Sequence, residues 1–505
     1  MKTLSAFGST VLLTAVSLFA QGARFVFQVL LSRMVDPQVI GLYHLVMPVM
    51  PVLMSLTALG FTAACSNLSA RYHVMGDRKA AAQTVRVCIA GFLISFAVTA
   101  LVTGLLSDAI SVYLLGDARA RLGLLLLLPC VLLTGLENIH KHFFYGIGDV
   151  RGPAFTEVGE QLIRTGAVLG LLWRFLPQNP ERTVGLIVLG MILCEVFSAL
   201  TLSLLYRRTM GTRPVGVGVE RRELWGKVIA FAWPMALTAL LGNLMEAGTT
   251  VLIPQRLIRA GADVKAAMSA FGILRGMTIP MLSLPTAVIG ALSLILLPKM
   301  AEAHALGRPQ LCRHRCGKAL AATAALIFPA AALMAVAAPT LGRALFHEPT
   351  AGSFALPLAI GVALASIERV LGVTLNGLGR QKTTAGHSLV TGAVQLFLTW
   401  RQMALPGMGL RGYVQALLLS TVLGVALNWY SLRRAIGLRV QWFRWIVAPG
   451  LGALLAGLCA NLLLPILSRA GLGDGVACGV TLCFGGAVYL SAMAAMGWHL
   501  EESKG

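Results

Sequence analysis

Apolar stretches, each able to supply the roughly 20 residues that a bilayer-spanning helix needs, recur along the whole chain. Short breaks rich in charge, glycine or proline separate them. Fourteen windows emerge: 5–31, 40–68, 82–106, 122–145, 153–173, 183–206, 228–255, 266–298, 319–342, 352–377, 383–400, 412–432, 445–468 and 475–498. The expected fold is therefore an all-α polytopic membrane protein of about 14 transmembrane helices. Composition sharpens this. The 505 residues are 57% hydrophobic and 12% charged, against about 25% charged in a soluble domain. Mean hydropathy is +0.79. Disorder is excluded, and so is a single-span receptor with a large soluble head. The first window is too long for the 7–15-residue apolar region of a signal peptide and lacks a convincing cleavage site, so it reads as the first span.

Charge fixes an expected orientation. The chain carries 41 Lys+Arg against 20 Asp+Glu, a formal net charge of +21. In a soluble protein that excess would suggest nucleic acid, but no basic run here interleaves with aromatic residues as a base-stacking surface would. No nucleic-acid partner is expected. Cytoplasmic loops of membrane proteins carry excess Lys and Arg. Placing the N-terminus inside, and counting Lys141 at the cytoplasmic end of the fourth window as cytoplasmic, puts 24 basic residues in cytoplasmic segments, among them Lys2, Arg213 and Lys504, 12 outside, and the other five within spans. Both termini are then expected in the cytoplasm.

The halves of the chain repeat at a constant offset of 231 residues. Gly41-Leu42 matches Gly272-Ile273, and Glu137-Asn138 matches Glu368-Arg369. Tyr145-Gly146-Ile147-Gly148 matches Asn376-Gly377-Leu378-Gly379, and Arg151 falls on Lys382. Internal symmetry of this kind is common in transporters. It predicts a six-helix lobe over 1–206, a basic, Gly-rich cytoplasmic linker over 207–227, and a second six-helix lobe in parallel repeat over 228–432. Two further helices and a short tail fill 433–505.

Ionisable residues within spans carry the candidate chemistry, since each costs about 2.5–3.5 kcal/mol on insertion scales. The first span holds Gln21, Arg24 and Gln28 as one polar stripe, and the seventh repeats the spacing with Asn243, Glu246 and Thr250. The fourth holds Glu137 and Lys141, and the fifth Glu157, Glu160 and Arg164. Glu195, Arg275, Glu368 and Arg369 complete the set. Such charges must face one another or a wet cavity. Glu160 and Arg164, one turn apart, read as a structural ion pair. Glu195, alone in its helix, reads as a neutral, hydrogen-bonded acid. The others are candidates for lining a substrate cavity. Pro48, Pro51, Pro280 and Pro285 occupy paired positions in the two halves and are candidate hinges or kinks.

Enzymatic motifs do not emerge. There is no Walker A, HExxH or GxSxG pattern, so neither an enzyme nor a cofactor is expected. Cys312-Arg313-His314-Arg315-Cys316 has two thiols close together. Zinc sites favour four ligands in spaced pairs, and the intervening arginines oppose a cation, so no metal is expected.

Several segments resemble stage V sporulation protein B-like flippases. They include Gly41-Leu42-Tyr43 through Pro48, Leu59-Gly60-Phe61, Ser66-Asn67-Leu68-Ser69, and Phe143-Phe144-Tyr145-Gly146 with Glu160-Gln161-Leu162-Ile163-Arg164. Asn243-Leu244-Met245-Glu246 leading to Pro254-Gln255-Arg256-Leu257, and Phe271-Gly272-Ile273-Leu274-Arg275-Gly276-Met277 through Leu297-Pro298-Lys299-Met300-Ala301-Glu302, extend the likeness. That family belongs to the multidrug/oligosaccharidyl-lipid/polysaccharide exporter superfamily, which includes lipid II flippases. The resemblance implies two lobes of helices in a bacterial cytoplasmic membrane and outward movement of a polyprenyl-pyrophosphate-linked glycan. Two departures stand out: Gln21 and Lys141 occupy positions where the family often has arginine.

A pyrophosphate headgroup calls for cationic donors. Arg24 and Arg275 are the first candidates, with Lys141 and Arg369 second. Partners expected from this reading are the lipid-linked glycan, membrane lipids, and Na+ or H+ as coupling ion, with the protein a monomer. Three other readings stand beside it: a cation-coupled multidrug exporter of the same superfamily, a non-transporting scaffold for cell-wall or spore-cortex assembly, and an integral-membrane glycosyltransferase.

Overall fold

In a computed structural model, residues 6–211 and 215–498 are described. Lys2, Arg213 and Lys504 of the basic-residue census lie outside them. No β-strand occurs among the described residues, and the chain is an all-α multi-pass membrane protein. It divides into two compact units, Met1–Gln255 and Arg256–Gly505.

The first unit contains α1 (Ala6–Met34), α2 (Pro37–Val46), α3 (Val49–Thr57), α4 (Leu59–Val74), α5 (Arg78–Leu105) and the single turn α6 (Ser107–Ala109). A π-helical turn, Ile110–Leu115, leads into α7 (Ala120–Gly146), α8 (Arg151–Phe175), α9 (Pro180–Met210) and α10 (Arg221–Arg259). Prolines open α2 and α9, where a missing N–H costs nothing. α7 packs on α4, α5 and α9, while α8 packs on α9 and α1. Leu68, Cys88, Phe92, Ile139 and Phe143 are at most 3% exposed and form the core between α4, α5 and α7.

The second unit runs through α11 (Val264–Ile273), the π turn Leu274–Thr278, α12 (Ile279–Ser283), α13 (Thr286–Ala305), α14 (Pro309–Leu341) and α15 (Ala355–Gly377). It ends with α16 (Gln381–Gln402), α17 (Gly409–Ile436), the π turn Phe443–Val447, α18 (Ala448–Arg469) and α19 (Asp474–Ala495). Here α15 packs on α13, α14 and α17, and α16 packs on α17. That is the neighbour pattern of α7, α4, α5, α9 and α8. α18 and α19 pack on each other and on α14.

The repeat is written into the backbone. Left-handed residues recur 231 positions apart: Gly76 (φ 74) and Gly307 (φ 63), Gly116 (φ 78) and His347 (φ 56), Gly148 (φ 79) and Gly379 (φ 73). A close approach recurs as well. A Cβ on Gly146 would lie 2.5 Å from the Ser66 carbonyl oxygen, and one on Gly377 would lie 2.5 Å from Met300 Cβ and 3.0 Å from the Leu297 carbonyl. Glycine at these two helix ends lets α7 touch α4, and α15 touch α13, backbone to backbone.

The span count changes in detail. Among the described residues, twelve helices are long and apolar enough to cross a membrane. The fifth and eleventh expected spans, 153–173 and 383–400, form α8 and α16, which have crossing length but too many polar residues to be among the twelve. The expected span 266–298 is not one helix. It breaks at Leu274–Thr278 and again before Thr286, as 40–68 breaks around Pro48 and Ala58. Proline explains one break in each span. Pro51 cannot donate to the Met47 carbonyl, which Met50 N takes at 3.1 Å; Pro285 cannot donate to Met281, whose carbonyl Leu284 N takes at 3.4 Å.

The linker segment also proves structured where it is described. Val215–Val219 lies against the start of α5: Lys79 N donates to the Val215 carbonyl at 3.2 Å, and Val219 N to Gln83 Oε1 at 2.9 Å. Asp77 caps α5 through Ala80 N at 2.8 Å while its second oxygen accepts from Gly218 N at 2.9 Å. α10 begins at Arg221, seven residues before the seventh expected span, and most of it groups with the first unit. A Cβ on Gly60 would lie 2.4 Å from the Ala232 carbonyl, so α10 rests directly on α4.

Candidate functional site

Three helices of the first unit bring six ionisable side chains together in two neighbouring ion-paired groups. The 3.6-residue period stacks Glu137 and Lys141 on one face of α7, and Glu157, Glu160 and Arg164 on one face of α8. α9 adds Glu195. Lys141 Nζ lies 2.8 Å from Glu157 Oε2 and 3.7 Å from Glu137 Oε1. Arg164 Nη2 pairs with Glu160 and lies 3.4 Å from Glu195 Oε1. Thr134 Oγ1 donates to Glu195 Oε2 at 2.7 Å.

Burial makes this compensation necessary. Glu137 and Glu195 are each 3% exposed and Glu160 8%, and an isolated buried carboxylate would cost several kcal/mol. Glu195, expected as a neutral, hydrogen-bonded acid, accepts from Thr134 and also lies near the Arg164 guanidinium that pairs with Glu160. Glu137 sits deep, while the Lys141 and Glu157 side chains keep 14% and 27% exposure at the rim. Glu160, Cys194 and Glu195 hold their donor atoms within 4.8 Å of one another. Arg164 supplies the positive charge at that spot. Cys312 and Cys316 are buried in α14, with Thr374 Oγ1 donating to Cys316 Sγ at 3.7 Å, which fits packing rather than metal ligation.

α1 presents a different situation. Gln28 is buried, Gln21 half-buried and Arg24 exposed. Arg24 has no ion-pair partner among the described residues, and Gln28 Nε2 is a buried donor without an acceptor. Such orphans are rare and call for an explanation. On α10, Asn243 Nδ2 donates to Ser55 Oγ at 2.7 Å and to the Pro51 carbonyl at 3.1 Å. That places it on the proline break between α2 and α4. Glu246 is exposed on the same helix.

In the second unit, Arg275 is half-buried on the π turn between α11 and α12, Glu368 is half-buried, and Arg369 is exposed. The Glu368 carboxylate lies over Gly424 of α17, where a Cβ would fall 2.0 Å from Oε1. The repeat keeps this glutamate but not its cation. Gly372 stands in register with Lys141, and Gln395 with Arg164. Beside it, His387 Nδ1 and Asn428 Oδ1 lie 2.7 Å apart, with Ser431 Oγ 3.4 Å from His387 Nε2.

Residues 8–304, more than half the chain, match the model of the family described as polysaccharide biosynthesis protein. The chain belongs to this family. Among curated proteins it is 22% identical over 439 residues to stage V sporulation protein B of Bacillus subtilis (strain 168), covering 86% of this chain and 84% of that protein. Sporulation protein YkvU of the same organism is 21% identical over 439 residues, covering 85% and 95%. The fold is shared with the lipid II flippase MurJ in an inward closed conformation (TM-score 0.73, 12% identity, 96% of this chain and 98% of that chain). It is also shared with an inward-facing multidrug resistance MATE transporter of the MOP superfamily (TM-score 0.67, 13% identity, 84% and 99%).

Within this polysaccharide biosynthesis protein, the pairs one helical turn apart are legible from spacing, whereas the cross-helix partners are not. Lys141–Glu157 and Arg164–Glu195 join residues on different helices, and no periodicity reveals which helices pack. His387 was one of several scattered histidines in the sequence. Its signal is a polar position nearly two turns past the α16 start.

Proposed function

We propose that this protein is a flippase. It carries a polyprenyl-pyrophosphate-linked oligosaccharide, a lipid II-like or other cell-envelope glycan precursor, outward across the bacterial cytoplasmic membrane by alternating access. Both termini face the cytoplasm in this reading. One contrast carries it. The interior carboxylates of α7, α8 and α9 reach Lys141 or Arg164, whereas Arg24 and the Gln28 amide offer donors with no acceptor among the described residues. A guanidinium and an orphaned amide on one helix face suit an anionic headgroup. Gln21 extends that stripe; Arg275 remains a candidate donor, with Lys141 and Arg369 secondary.

The network itself holds four carboxylates against two cations. That excess favours coupling to Na+ or H+, and it also supports the second reading, a cation-coupled multidrug exporter. The membrane-scaffold reading requires neither the orphaned donors nor the acid excess.

Reconstitution into liposomes separates these. Protein-dependent flipping of polyprenyl-pyrophosphate glycans is expected, without uptake of cationic drugs. Drug transport with no glycan flipping would replace the first reading by the second.

A further inference from the structure

The Cys312–Cys316 motif divides between two faces of α14. Cys312 and Cys316 point into the core, whereas Arg313, His314 and Lys318 line a cavity of about 400 Å³. Its opposite wall is the segment between α17 and α18, with Arg439, Arg444 and Trp445. Four arginine or lysine side chains thus surround one cavity, and none of its lining residues among those described is acidic. Arg313 and Arg439 are exposed and have no ion-pair partner among the described residues. Arg313 packs over Gly437, whose left-handed φ of 66 ends α17 and turns the chain back to form the second wall. The indole Nε1 of Trp445, a residue 7% exposed on that wall, has no acceptor among the described residues.

The aromatics beside the cavity indicate its expected depth, and the helix end adds to its field. Trp442 and Phe443 beside it are 66% and 53% exposed, and exposed aromatics at helix ends sit at the headgroup level of a bilayer. The cavity also opens at the first turns of α14, where the partial positive charge of a 33-residue helix adds to the field of the side chains. Basic pockets between transmembrane helices on the cytoplasmic side bind anionic headgroups.

We propose that this cavity is a binding site for a phosphate monoester or diester anion at the membrane surface, held by Arg313 and Arg439. It is separate from the transported substrate. Only its assignment to the cytoplasmic leaflet rests on the orientation proposed above; binding and flipping can fail independently.

Tryptophan fluorescence of the purified full-length protein in detergent reads the site, because Trp445 lines it and Trp442 flanks it. Titration with dioctanoyl phosphatidylglycerol should give a saturable change that dioctanoyl phosphatidylcholine does not. Arg313→Gln combined with Arg439→Gln should weaken the apparent Kd at least about tenfold. The doubly conservative Arg313→Lys, Arg439→Lys variant should keep the preference and so controls for folding. Competition by inorganic phosphate at similar concentration would identify a soluble anion as the source; saturation by lipid alone would identify a headgroup. The site is disproved if phosphatidylcholine binds as well as phosphatidylglycerol and phosphate gives no response. It is equally disproved if the glutamine variant retains the full preference for phosphatidylglycerol.

Discussion

Arg24→Ala should lower glycan flipping about ten- to a hundredfold per folded molecule, the loss expected for one charge-assisted interaction of about 1.5–3 kcal/mol. Arg24 is exposed on α1 and contacts no carboxylate among the described residues, so its removal should leave thermal unfolding within the narrow range of surface substitutions. Arg24→Lys should recover part of the rate, because an ammonium supplies the charge but not the planar fork. The flipping assay in proteoliposomes, with unfolding followed on the same preparations, checks both. A wild-type rate in Arg24→Ala would remove the central donor from the proposed site.

Arg164→Leu should act in the opposite way, on stability first. The substitution strands Glu160 and Glu195, both nearly excluded from solvent, and breaking a buried ion pair from one side costs about 3–5 kcal/mol. Converting the orphaned acids to Glu160→Gln and Glu195→Gln in the same chain should restore most of the loss, because the remaining groups are neutral and Thr134 can still hydrogen-bond position 195. Thermal unfolding in detergent compares the three proteins. Equal stability of Arg164→Leu and wild type would mean that the network does not hold α8 and α9 together.

The difference between these residues explains what the sequence could reveal. Glu160 and Arg164 are one turn apart, so their pairing follows from helix geometry alone. The link from Arg164 to Glu195 joins α8 to α9 and depends on packing that no local spacing encodes. The internal repeat was legible because Glu137 and Glu368, and the G-x-G turns that follow them, keep register. The left-handed His347 was not, since a histidine carries none of the glycine signal that its counterpart Gly116 carries. The break at Leu274–Thr278 was hidden because no proline lies within it; the prolines that disturb the helix lie downstream at Pro280 and Pro285. α8 and α16 show the limit of hydropathy. Both have the length of a span, but their polar residues are the ones the network and the His387 contact require.

The central claim is that the stripe on α1 faces water rather than acyl chains. Arg24→Cys and Val26→Cys, each made in a chain lacking Cys459 and Cys483, place a thiol on the stripe and on another exposed face of the same helix. In intact membranes a charged, water-soluble thiol reagent should modify position 24 and spare position 26, and a polyprenyl-pyrophosphate glycan should slow the reaction at 24. Modification at 26 with none at 24 would put the stripe against lipid and contradict the account.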